Sequence, residues 1–198
     1  MKLWMTVVLA VLVLLTAGYM AGKAVFTEFQ GTEGPGGPPD FTATTINCPG
    51  GKPTGVLFPQ PCTDGSRVHI RGAKFYYAAQ TGDPRVTGLE EVTMNGNFDG
   101  WRADLLGPGS GQMWGTIHFT VGVFAGTPPT FTPTGGTWDG TWTGTRTVTG
   151  NTAESVIHAV AHGSGGKVEG LQADWHVILD PGASVGVMNG RILDQGKK

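Results

Sequence analysis

Five histidines, two adjacent glutamates, an arginine in an aromatic run and two cysteines are the residues whose spacing bears on chemistry. His158 and His162 stand in "HAVAH", a separation that pairs imidazoles for zinc on a helix, but the glutamate of H-E-x-x-H is missing. On a strand the two would share a face about 13 Å apart, too far for one ion. His69, His118 and His176 fall on the polar faces of alternating runs, so neither a metal nor a cofactor is expected. Glu90 and Glu91, being neighbours, point to opposite faces of a strand and cannot act as a carboxylate pair. A rim or bulge position is the expectation for both. An inward one would have its pKa raised by burial and could serve as a general acid or base.

The aromatic run is "GGTWDGTWTGTRTVTG", residues 135–150. Trp138, Gly140, Trp142, Gly144, Arg146 and Val148 share one parity, and a row of threonines broken only by Asp139 shares the other. A strand whose inner face reads Trp-Gly-Trp-Gly matches the large/small alternation that fills a small barrel, with the threonines facing water. Trp138 and Trp142 are therefore core or lumen residues of a curved strand. Arg146 lies beyond them, where a guanidinium at a barrel mouth could hold a ligand carboxylate bidentately; a plain surface cation is the simpler reading.

Cys48 and Cys62 enclose "PGGKPTGVLFPQP", too rich in proline and glycine for regular structure. An even pair in an oxidising compartment predicts a disulfide, contributing about 3 kcal/mol on the chain-entropy account. No G-x-S-x-G elbow, phosphate loop or dinucleotide fingerprint occurs, and "HGSGGKVEG" is read as a hairpin turn.

The elements that must position these residues follow from composition and period. Thirty-four glycines, 39% hydrophobic and 14% charged residues exclude both a helical bundle and a disordered chain. A net charge of −2 without a basic stripe excludes a nucleic-acid partner. Residues 1–24 have the form of a signal peptide: Lys2, an apolar run from Leu3, then small residues with Gly22 and Ala24 at the −3 and −1 positions. The alternative is an uncleaved anchor over residues 3–21, the only membrane contact foreseen. Either way the chain is expected to be exported, secreted or periplasmic.

Residues 25–40, ending in "QGTEGPGGPPD", read as a flexible Gly/Pro linker, leaving 41–198 as a single domain. Strands are expected over 41–46, over 67–79 with a bulge at Gly72, over 85–98 and over 112–124. "TPPTFTPTGG" reads as a loop before the tryptophan strand. Strands over 154–162, 167–179 and 185–193 follow, the last two separated by the turn "DPGAS"; the first of these could open a helix at Thr152, but the "GSGG" after it favours a hairpin. The fold class is all-β, about eight antiparallel strands in a barrel, with a β-sandwich as the alternative.

The segments "DPRVTG", "GQMWGTIHF", "GTWDGTWTGT", "HGSGGKVEGLQADW" and "GVMNGRIL" resemble exported bacterial β-barrel proteins of the allene oxide cyclase and dirigent-like group, over roughly residues 65–193. The resemblance implies an eight-stranded antiparallel barrel with an apolar lumen, sometimes trimeric, and ring closure or radical coupling as the chemistry of characterised members. No catalytic position carries over.

Three functions are thus expected in order. The first is an exported barrel holding a small apolar or aromatic ligand, lined by Trp138, Trp142 and Trp175 with Tyr77 and Phe119 behind them and Arg146 at the mouth. The second is an isomerase or cyclase on the same fold, with Glu90, Glu91 or His158 as the titratable group. The third is an interaction protein with a packed core that meets a partner or another copy of itself.

Overall fold

The computed structural model describes residues 24–54, 61–63, 66–105, 107–126, 129–179 and 185–196. The leader or anchor (except Ala24), the "DPGAS" turn and residues 55–60 of the cysteine loop lie outside them. The fold is all-β, and no helix among the described residues is long and apolar enough to cross a membrane. The strands are β1 (Val25–Pro35), β2 (Thr45–Asn47), β3 (Val68–Thr81), β4 (Gly88–Phe98), β5 (Trp101–Arg102), β6 (Gly107–Pro108), β7 (Gly111–Ala125), β8 (Thr130–Thr149), β9 (Thr152–Ser164), β10 (Gln172–Leu179) and β11 (Gly186–Asp194).

Every pairing is antiparallel. The order β1-β11-β10-β9-β8-β7-β4-β3 returns to β1, because β1 also pairs with the second half of β3, Gly31 opposite Thr81 through Pro35 opposite Tyr77. Eight strands thus form a closed ring, the connectivity of a barrel, which leaves no long unpaired edge. The ninth, β2, takes the free first half of β3, with Ile46 opposite Ile70.

This closure corrects the sequence reading in one place above all. Residues 25–35 are not a linker: β1 is an eleven-residue strand that pairs with β11 along Val25–Glu33 and then with β3. Its glycines and prolines suggested a tether, but the two neighbouring strand edges supply the hydrogen bonds that local composition does not. The domain therefore begins at β1 rather than at residue 41. The expected first strand over 41–46 shrinks to Thr45–Asn47, and part of "TPPTFTPTGG" pairs in β8, Phe131 opposite Phe124. Thr152–Ser164 is strand, not helix.

The strands expected over 85–98 and 167–179 begin only at Gly88 and Gln172, because 3-10 turns occupy Pro84–Val86 and Gly166–Val168; within the strands the period-2 reading holds. The ladder between β3 and β4 shifts between Ile70 and Ala73, where Gly72 takes φ 73°, a conformation that a side chain would strain. In β10, Ala173, Trp175 and Val177 are buried while His176 and Ile178 face out. In β8, Trp138 and Trp142 are buried and Thr141, Thr143, Thr145, Thr147 and Thr149 are exposed. Gly115 stands opposite Trp142, and a Cβ there would collide with the Thr93 carbonyl; its absence lets the indole Nε1 donate to that oxygen at 3.3 Å.

The Cys48–Cys62 disulfide is present, with Cα atoms 5.6 Å apart and both cysteines buried. It fastens the end of β2 to the segment that leads into β3.

Candidate functional site

The inner faces of the strands do not fill the ring. At one end they pack densely: Trp138 and Phe119 are opposite each other across the β7–β8 ladder and fully buried. Val86 and Val168, on the short 3-10 turns Pro84–Val86 and Gly166–Val168, are buried as well. Trp138 Nε1 donates to the Arg85 carbonyl at 2.7 Å, which satisfies the indole within the protein. Beyond this plug lies a cavity of about 390 Å³, within the usual size of a small-molecule site.

The cavity divides the expected ligand-binding residues. Trp142, Trp175, Tyr77 and Arg146 line it, whereas Trp138 and Phe119 do not and are packing residues. Met113, Ile117 and Val177 contribute apolar wall, and Phe75 stacks on Tyr77 with ring centroids 6.4 Å apart. At one end Arg146 is lined up with Leu105, Gly107 and Pro108 of the short β5–β6 hairpin, and its Nε donates to the Pro108 carbonyl at 2.9 Å. It is half-buried, and desolvation pulls its pKa below the usual guanidinium value. The simple surface-cation reading of Arg146 is thereby corrected.

Two carboxyl groups face the same cavity. Glu90 is 2% exposed and Glu33 is 4% exposed. The rim or bulge expectation for Glu90 is overturned: its parity is that of Val92, Met94 and Phe98, whose side chains point into the ring. Glu33 comes from β1, a segment that reads in the sequence as a linker and therefore offers no candidate there. The alternation of Phe29, Gly31 and Glu33 on one face was the available signal.

Register brings the acids together. Tyr77 lies opposite Glu90 on β4 and opposite Pro35 on β1, and Glu33, two residues before Pro35, is the diagonal neighbour of Tyr77. Among the described residues neither carboxyl has a hydrogen-bond or ion-pair partner, and Glu90 Oε1 is fully buried without one. Burial raises the pKa of Glu33 to about 7. Burial, reinforced by the charge of Glu33, holds that of Glu90 well above the carboxylate range. The Tyr77 phenol is pushed up by burial first and then by both carboxylates.

The other titratable expectations lie outside the cavity. Glu91 faces outward and accepts from Lys74 Nζ at 2.6 Å. His158 is exposed on the outer face, stacked on His176 with centroids 4.4 Å apart, so neither it nor Glu91 is an inward group. His118 is exposed and bonded to Asp139 at 2.6 Å. No group of His, Cys, Asp and Glu able to hold a metal occurs among the described residues.

The chain matches no family model, no curated protein and no solved structure.

Proposed function

We propose that this protein is an exported barrel that holds a small, largely apolar or aromatic ligand inside its ring. The observation that carries the reading is the cavity of about 390 Å³ lined by Tyr77, Trp142 and Trp175 among aliphatic side chains. A chain selected only for stability closes such a space, because unfilled volume costs dispersion contacts. The interaction-protein reading with a packed core is the weaker one for that reason. Export is supported by the charged, apolar and small-residue order of residues 1–24 and by the disulfide.

Titration of tryptophan fluorescence with long-chain fatty acids and small phenolics tests the reading. Saturable quenching that disappears in Trp142→Ala and persists in Trp138→Phe is the expected result. A flat response across the panel overturns it.

A second reading, an isomerase or cyclase, is favoured by one specific observation: the unpartnered carboxyl groups of Glu33 and Glu90 at the cavity wall. Purely apolar ligands need no such groups, and burying them costs stability. This reading agrees with the resemblance to allene oxide cyclase and dirigent-like barrels.

A further inference from the structure

Glu33, Tyr77 and Glu90 stand on three neighbouring strands, β1, β3 and β4, with their side chains on one cavity wall. From the other strands the wall is mostly apolar or aromatic, with Trp175, Val177 and Leu179 on β10 and Ile117 on β7; its polar side chains are Ser155 on β9 and Arg146 on β8. Among the described residues the one cation lining the cavity is Arg146, which makes no ion pair with either acid and donates instead to the Pro108 carbonyl. No charge from the described wall therefore neutralises the two acids, and Glu90 Oε1 is buried without a partner.

Two like groups in an apolar site do not both ionise, so one proton remains on the pair. The result at neutral pH is one acceptor and two donors: a carboxylate, a carboxylic acid and a phenol. Of the two acids Glu90 keeps the proton, because its Oε1 is fully buried with no partner to stabilise a charge, and Glu33 supplies the carboxylate. A carboxylate base beside two neutral O–H donors in an apolar pocket suits a carbon acid whose negative charge develops on an adjacent carbonyl oxygen.

Resting on the small-molecule reading above, we propose that this wall is a proton-transfer site for a hydrophobic ketone. The Glu33 carboxylate removes a proton from the carbon next to the carbonyl, and the C–H electron pair moves into the C–C bond as the C=O pair moves onto oxygen. The enolate oxygen accepts hydrogen bonds from the Glu90 carboxyl and the Tyr77 hydroxyl. The Glu33 carboxyl, whose proton exchanges with solvent, then delivers a proton to the same carbon or to the far end of an adjacent double bond. The first outcome is exchange with solvent hydrogen, and the second moves the double bond into conjugation. Nothing is oxidised or reduced, and no co-reactant is consumed.

The test uses the full chain with 2-tetralone, an aromatic ketone with acidic α-hydrogens, in heavy water. Loss of the α-proton resonance reports proton transfer, and tryptophan quenching reports binding separately. Exchange faster than in buffer is expected, rising with pH as Glu33 ionises near 7. Glu33→Gln should slow exchange about a hundredfold while quenching persists. Tyr77→Phe and Glu90→Gln should each slow it about tenfold with binding retained. If the glutamine variant does not fold, Glu33→Asp keeps the charge and retracts it by one methylene, and should give the same loss of exchange with binding retained. Saturable binding with exchange only at the buffer rate overturns the proton-transfer site and leaves the ligand-binding barrel standing. Tight binding of 2-aminotetralin with no exchange of the ketone also overturns it, since the acids would then serve an ammonium group. Absence of quenching by any compound removes the binding reading and this proposal together.

Discussion

Glu90 lies directly opposite Tyr77 across the β3–β4 ladder, and both side chains enter the cavity that Glu33 reaches from the other side of β3. A polar trio at the wall of an otherwise apolar interior has consequences for stability as well as for chemistry.

Stability should fall as pH rises through the range in which Glu33 ionises. Its folded pKa of about 7 lies above the ordinary 4.5, so the folded protein binds more protons than the unfolded chain between those values. The favourable term is full below pH 4.5, declines from there to about 7 and is then gone, which costs about 3 kcal/mol. Glu90 acts in the same sense. Melting temperatures from pH 5 to 8 should decrease in the native protein and stay flatter in Glu33→Gln; an unchanged slope in the variant would assign the effect elsewhere.

The two tryptophans of β8 should separate cleanly. Trp142→Ala enlarges the cavity and removes the bond to the Thr93 carbonyl, with an expected cost of about 3 kcal/mol and loss of ligand-induced quenching. Trp138→Phe removes the bond to the Arg85 carbonyl and should cost about 1–2 kcal/mol with quenching intact. Denaturant melts and fluorescence titrations of the two variants provide the comparison.

Reducing the Cys48–Cys62 disulfide, or replacing both cysteines by serine, should lower stability by about 3 kcal/mol. The bond holds β2 rather than the ring, so circular dichroism should retain the β-sheet signature while the denaturation midpoint drops.

A chain that begins at Gly36 should aggregate. Without β1, the edge of β11 and the second half of β3 lose their partners, and unpaired edges recruit other chains. Size-exclusion chromatography should show soluble assemblies or loss from solution, in contrast to a chain beginning at Ala24.

How much of this was legible in the sequence depends on whether the information was local. The Trp-Gly-Trp-Gly face of β8 and the bulge at Gly72 are local patterns, and both appear in the structure as read. The choice between Glu90 and Glu91 was also legible in principle. Val92, Met94 and Phe98 fix the phase of β4, and counting back from them places Glu90 inside. Glu33 was not legible, because β1 owes its conformation to strands that lie far from it in sequence. The split of the tryptophans between plug and cavity likewise depends on the turns at Val86 and Val168, which no periodicity reports.

The pairing of β1 with β11 also sets a schedule. The first strand of the ring has to wait for the last, so its contacts are among the most distant in sequence that the chain makes, and such contacts are slow to form. During synthesis the chain can assemble β3 to β10 from neighbouring hairpins and still lack a closed interior. Pairing of β1 with β3 can bring Glu33 to Tyr77 and Glu90 early, but the acids face an enclosed interior only when the β1–β11 seam zips shut.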